Sequence, residues 1–306
     1  MGRHTSDSSR HLRGTLVTAL LRALGRLPYP LGRRLGLLLG ALLWWLPNKG
    51  KRVARVNLQM CLPQLSDASQ QRLCQHVLKE NVAGMIELAW VWQHPQQALA
   101  RVTDVENGEQ LRETLASGRP ALILAPHIGC WEVLNFWLSQ HFPMHAMFNP
   151  SGLPALDDLI RAGREQFGTV LHPATARGVV SLVRALKQHD GDMASLSAIL
   201  PDQVPDRRSG RFAPFFGQPA ATGTLPVKLL QQSGARAFMA FAKRTGDGQF
   251  EIRLRDPDER IYDADVDTAL AGLNASIEAL IMEAPAQYLW TYQRFRRVPE
   301  GEKKPY

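Results

Sequence analysis

Three cysteines in 306 residues, Cys61, Cys74 and Cys130, are too few and too irregularly spaced for a disulfide framework, and they form no CxxC pair. They suit a reducing compartment. The chain also lacks GxGxxG, Walker A, GxSxG and HExxH patterns, so a dinucleotide enzyme, a P-loop NTPase, a common serine hydrolase and a zincin have no local support. His141, His145 and His172 stand in unrelated segments, so no third ligand joins His127 and Glu132, and no metal or other cofactor is expected. Acidic residues are scarce in one region: residues 1–60 hold eleven Lys and Arg against the single acid Asp7, while the rest has 25 basic and 27 acidic residues. A nucleic-acid partner would want basic side chains spread over the folded surface. Here they flank the most apolar part of the chain, and an anionic membrane is the better partner.

A membrane-spanning run is missing too. The apolar stretch Leu35 to Leu46 would reach only about 18 Å as a helix, against roughly 30 Å of bilayer hydrocarbon. Trp44 and Trp45 at its end, followed by Lys49, Lys51 and Arg52, have the pattern of an interfacial anchor. Arginines interrupt the apolar part and no small-residue cleavage site follows, which disfavours a signal peptide. The alternatives are a tilted span with snorkelling arginines, or a core helix of the fold.

Three parts are therefore expected: a disordered basic tail over 1–14, a membrane-associating apolar and basic segment over 15–65, and an α/β domain over 66–306. Within the last, Ser66 caps a helix over 67–92. Strands are expected near 121–125, 145–148, 169–172, 195–200, 235–243 and 250–254. Helices are expected near 131–139, 155–167, 176–188, 225–232 and 267–283. This alternation implies an α/β fold with a largely parallel central sheet and helices on both faces, preceded by the N-terminal membrane-associating helical segment.

Ala121 to Ala125, bounded by Gly118, Pro120 and Pro126, has the length and composition of a buried strand, and an amphipathic helix starts at Trp131. His127 thus falls at the strand's carboxyl end, where open α/β sheets bind ligands. On one continuous helix, residues five apart would point about 140° apart, so His127 and Glu132 meet only if the histidine precedes the helix. Gly129 permits the turn. Glu132 could then fix the imidazole tautomer and make His127 a general base toward a hydroxyl; the bland alternative is an ordinary helix-start hydrogen bond. A second apolar strand ends in Pro201-Asp202-Gln203, followed by Arg207, Arg208 and Arg211 and the apolar turn Pro214-Phe215-Phe216-Gly217. In the active-site reading Asp202 and Gln203 position a substrate, while Phe215 and Phe216 wall a greasy pocket. Otherwise they are a capping carboxylate and core aromatics.

Taken together, these residues resemble the lipid A biosynthesis acyltransferases, the lauroyl and myristoyl transferases of Gram-negative bacteria within the wider glycerolipid acyltransferase superfamily. The resemblance runs over roughly residues 15 to 300. It includes Arg55-Val-Asn57-Leu58 with Pro63, the His127 to Glu132 motif, Arg164 before Gly168, Arg177-Gly178, Leu200 to Gln203, Pro214 to Gly217 with Thr222, and Trp290 with Arg294-Phe295. Where many relatives have Tyr-Arg-Pro, this chain has Phe148-Asn149-Pro150, so an anionic contact made there by relatives is either missing or supplied by Arg161 or Arg164.

The resemblance implies an O-acyltransferase at the cytoplasmic face of the bacterial inner membrane. It would take a fatty acyl group from acyl carrier protein to a hydroxyl of a lipid A precursor, with His127 as base, Glu132 as its orienting acid, and Arg164 or backbone N–H groups at the oxyanion. Asn149, Asp202, Gln203, Phe215 and Phe216 would contact substrate, and Arg207, Arg208 and Arg211 form a candidate dock for the acidic carrier. The alternatives are another acceptor lipid (a glycolipid, amino-acid lipid or pigment lipid), a thioesterase, and a non-catalytic membrane-surface binding protein.

Overall fold

The computed structural model describes residues 4–190, 192–246 and 248–306, with the side chains of 4–13, 16, 155, 189 and 190 left outside the description. Helix α1 spans His4–Gly25. The tail expected over 1–14 therefore falls on residues 1–3 and on the first turns of that helix, mostly beyond the described side chains.

Four more helices precede the sheet: α2 (Tyr29–Trp45), α3 (Lys49–Cys61), α4 (Asp67–Gln93) and α5 (Pro95–Leu99). Asn48 caps α3 by accepting the Lys51 N–H at 2.7 Å, and Ser66 caps α4 as expected, accepting from Ser69. Gly32, Gly36 and Gly40 lie on one stripe of α2 and let it press against α4. A Cβ on Gly36 would fall 2.4 Å from the Ala83 Cα, and one on Gly40 would fall 2.5 Å from the Lys79 Cα. Burying the glycine stripe turns the bulky residues outward, so Leu38, Leu42 and Trp45 are 58%, 52% and 81% exposed. Among the described residues, no helix is long and apolar enough to cross a membrane.

The remaining elements alternate: β1 (Val102–Glu106), α6 (Gly108–Ala116), β2 (Ala121–Leu124), α7 (Trp131–His141), β3 (Met144–Phe148), α8 (Pro154–Glu165), β4 (Val170–Pro173) and α9 (Ala176–Leu186). A short hairpin, β5 (His189–Asp190) with β6 (Met193–Ala194), leads to β7 (Leu196–Ile199). Then come the ribbon β8 (Gly210–Phe215) and β9 (Gln218–Gly223), α10 (Leu225–Ser233), β10 (Arg236–Arg244), β11 (Phe250–Arg255) and α11 (Val266–Glu283). Seven strands form one sheet in the order β1-β11-β10-β2-β7-β3-β4, parallel at every junction except β10–β11. The fold is thus mixed α/β with a mostly parallel sheet, as the alternation implied.

Period-two side-chain placement divides the core between the two faces. Leu122 and Leu124 of β2 join Met239, Phe241 and Ile277 on one side; Ala121 and Ile123 join Phe136, Phe238 and Phe250 on the other. Several features differ from the sequence expectation, among them α5, α6 and the β5–β6 hairpin, none of which was expected. β1 was not foreseen, being a short, half-exposed and polar edge strand. The stretch around Phe215 is a hairpin rather than an isolated turn, with Phe216 and Gly217 at positive φ (48° and 73°) where the ribbon reverses.

Candidate active site

Strands β2 and β7 are parallel neighbours, so the polar residues that follow each emerge side by side at one edge of the sheet. Asp202 is buried (3% exposed) and holds His127 twice: Oδ2 accepts the His127 backbone N–H at 3.0 Å, and Oδ1 stands 2.7 Å from Nδ1. A carboxylate is an acceptor only, so Nδ1 carries the proton and Nε2 is left as the basic nitrogen. The amide nitrogen of exposed Gln203 lies 3.0 Å from Nε2 and donates to it. Trp131 meets the ring edge-on, with centroids 5.2 Å apart. Burial would raise the Asp202 carboxyl, but the charge and hydrogen bonds of His127 outweigh it and hold the group below the usual carboxylate range.

The expected His127–Glu132 contact is not made. Glu132 is buried in the first turn of α7 and receives the Arg164 guanidinium from α8 in a two-pronged bond, Nη2 to Oε1 at 2.5 Å and Nε to Oε2 at 3.1 Å. Both carboxylate oxygens are thereby satisfied. The backbone also explains the separation. Gly129, at φ 61°, passes so close to β10 that a Cβ would lie 2.0 Å from the Ala242 carbonyl oxygen. The next N–H, of Cys130, donates to that oxygen at 2.9 Å. Pinning the turn to β10 leaves the His127 ring facing the end of β7. Burial would lower the Arg164 guanidinium, and the adjacent Glu132 carboxylate more than offsets this, leaving it raised.

Trp131 borders two cavities. One is lined by Asn81 and Met85 of α4 together with His127, Gly129, Arg244 and Leu289. The other runs beneath α7 between Leu134, Leu138, Ala146, Met147 and Ala198, with Arg164 and Asn135 as its polar members. The Asn135 Nδ2 is buried without a partner among the described residues.

The family model described as bacterial lipid A biosynthesis acyltransferase matches residues 3–297. The chain belongs to that family. It is similar to the lipid A biosynthesis lauroyltransferase of Escherichia coli (strain K12), 28% identical over 283 residues that cover 92% of this chain and 90% of the relative. The palmitoleoyltransferase of the same strain is 27% identical with the same coverage. The myristoyltransferase is 27% identical over 282 residues, 90% of this chain and 83% of the relative.

In this acyltransferase the other residues singled out from sequence fall in different places. Asn149, just past β3, is exposed and makes no hydrogen bond among the described residues. Phe215 and Phe216 do not border either cavity. Phe215 is fully buried against Phe295, and Phe216 packs on Trp290, on the α11 side of the sheet. They are core aromatics because the ribbon β8–β9 lies on α11, to which the Phe216 N–H is tied through Glu278 at 2.7 Å.

Sequence reasoning missed a buried brace behind the turn. Arg244 donates through Nε to Glu87 at 2.6 Å and through Nη2 to the Gly129 carbonyl at 2.9 Å, and Tyr29 of α2 donates to the other Glu87 oxygen at 2.8 Å. The only sequence signal was a charged residue, Glu87, on the apolar stripe of α4.

Proposed function

We propose that this acyltransferase moves a fatty acyl group from the thioester of acyl carrier protein to a hydroxyl of a lipid A precursor, at the cytoplasmic face of the bacterial inner membrane. The observation that carries the reading is the polarised His127 ring on the wall of a cavity that shares Trp131 with the apolar one, its Nδ1–H held by Asp202 and its Nε2 met by the exposed Gln203 amide. An acceptor hydroxyl displaces Gln203 and donates to Nε2. As its oxygen attacks the thioester carbonyl, the proton passes to His127, a transfer worth about 10² to 10⁴ in rate. Collapse of the tetrahedral oxyanion breaks the C–S bond, and the leaving thiolate takes the proton back. Asp202 stabilises the transient imidazolium.

Arg164 lines the cavity beneath α7, and Glu132 occupies only its Nε and Nη2. Its remaining N–H groups are available to the tetrahedral oxygen, so Glu132 serves as a positioning residue acting through Arg164. The apolar lining of that cavity suits the first carbons of an acyl chain.

Purified protein given labelled acyl carrier protein should label a lipid A precursor, and His127→Ala should lose that transfer. A folded His127→Ala variant with undiminished transfer would remove the assigned base. Consumption of donor that ignores added acceptor would favour a thioesterase instead.

The exposed face of α2 supports membrane association in the plane of the interface. Burying a leucine is worth about 1.5–3 kcal/mol, so Leu38→Glu with Leu42→Glu should weaken binding to anionic liposomes by more than about 10²-fold. Cosedimentation equal to wild type would place the membrane contact elsewhere.

A further inference from the structure

The loop that leaves the site after Gln203 gathers arginines that no carboxylate pairs with among the described residues. The Val204 N–H donates to the Tyr292 Oη at 2.9 Å; the Val204 carbonyl accepts from Arg296 Nη2 and the Pro205 carbonyl from Arg297 Nη1, both at 3.2 Å. The chain then turns tightly, with the Ser209 N–H donating to the Asp206 carbonyl at 3.1 Å, which puts Arg207 and Arg208 at the tip. The Thr224 N–H and hydroxyl both donate to the Ser209 carbonyl, fixing the turn to the ribbon.

Of the arginines here, Arg211 is committed to Asp267, and buried Arg294 is spent on the Ala221 carbonyl and the Thr222 hydroxyl. Arg207, Arg208, Arg296 and Arg297 have no carboxylate partner among the described residues. The one acid in the turn, Asp206, is exposed. Like charges repel over a screening length of about 8 Å, and the hydrogen bonds that fix this loop keep the backbone that carries them in place. Arg296 and Arg297 each use one nitrogen to hold the loop, leaving the rest of the fork available. Two residues of chain span at most about 7 Å, so Pro205 and the guanidinium resting on it lie close to Gln203, whose amide touches His127.

We infer that Arg207, Arg208, Arg296 and Arg297 form a recognition site for a phosphate group carried by a substrate, placed to hold that substrate while its reacting atom sits at His127. The inference rests on the proposed transfer only for which substrate brings the phosphate; that phosphate is either on the acceptor's headgroup or in the pantetheine arm of the donor. Several guanidinium groups converging on one loop suit a compact, multiply charged oxyanion, to which arginine donates in pairs.

The test uses the full-length protein and Arg207→Ala/Arg208→Ala, whose altered side chains are exposed at a turn tip. Arg207→Lys/Arg208→Lys keeps the charge, and Arg297→Lys probes the anchored pair. Binding of a phosphorylated glycolipid in detergent micelles, against the same lipid after phosphatase treatment, requires no turnover and so reports even if the acyl-transfer reading fails. A parallel arm compares acyl-phosphopantetheine with acyl-pantetheine. The alanine pair should weaken binding of the phosphorylated member in one arm by roughly tenfold or more and leave its phosphate-free counterpart unchanged; the lysine pair should recover part of the loss. The arm that responds names the source of the phosphate. Equal binding by variant and wild type in both arms, equal losses with and without phosphate, or a loss seen only with intact acyl carrier protein would overturn the inference, the last in favour of a protein dock.

Discussion

Asp202→Asn is expected to lower kcat by about 10³- to 10⁴-fold with little change in KM, because the substitution reverses the tautomer of His127. The carboxylate accepts two hydrogen bonds from one residue, the backbone N–H and Nδ1–H. An amide has one oxygen and one NH₂. If its oxygen keeps the backbone bond, the NH₂ faces Nδ1, which must then accept, and the ring proton moves to Nε2. A ring protonated there cannot take a proton from the acceptor hydroxyl. Nitrogen chemical shifts of the imidazole in labelled protein read the tautomer directly. Wild-type turnover, or an Nδ1–H ring in the variant, would rule out Asp202 as the orienting group. Glu132→Gln separates the two carboxylates. It should impair turnover through Arg164 yet leave the His127 tautomer as it was.

The same pair fixes the sign of a pH effect. The folded Asp202 carboxyl lies below its ordinary value, so its contribution to stability is fully present above the unfolded carboxylate range and is lost as pH falls through the lowered folded value. In the working range near neutrality Asp202 is ionised.

The two strand ends that build the site were readable from sequence. Apolar runs stopped by Pro126 and Pro201 predict buried strands with His127 and Asp202 just beyond them, and both strands are there. What the chain order hides is which strands become neighbours. β7 inserts between β2 and β3, although α7, two strand and helix units and the β5–β6 hairpin separate it from β2 in sequence. Local spacing therefore favoured Glu132, five places from His127, over Asp202, 75 places away. Arg164 was named, but its partner depended on how α8 crosses α7. Phe215 and Phe216 lie away from both cavities that Trp131 borders, and the sequence left their place open because an aromatic pair in an apolar turn has the same composition whether it walls a pocket or fills the core. The Glu87–Arg244 brace combines both difficulties, since a single buried acid on a helix has no visible partner until a strand 157 residues away is placed beside it.

Removing one side of that brace should have the largest effect on stability. Glu87 and the Arg244 side chain are 0% and 4% exposed, and Gly84 leaves the space that the guanidinium fills, a Cβ there falling 2.8 Å from Nη2. Glu87→Leu strands a buried positive charge, and Arg244→Met a buried negative one. Either is expected to cost about 3–5 kcal/mol in urea unfolding. The double variant Glu87→Leu/Arg244→Met carries no buried charge and should recover most of that stability, since apolar replacement of a buried ion pair is often neutral or better. It cannot restore the Nη2 bond to the Gly129 carbonyl, which helps hold the turn between His127 and Glu132. Its turnover should therefore stay well below wild type although it is folded. Single variants as stable as wild type would mean that the pair contributes nothing to the fold. A double variant with full kcat would mean that the turn keeps its shape without the brace, through the Cys130–Ala242 bond and the strands alone.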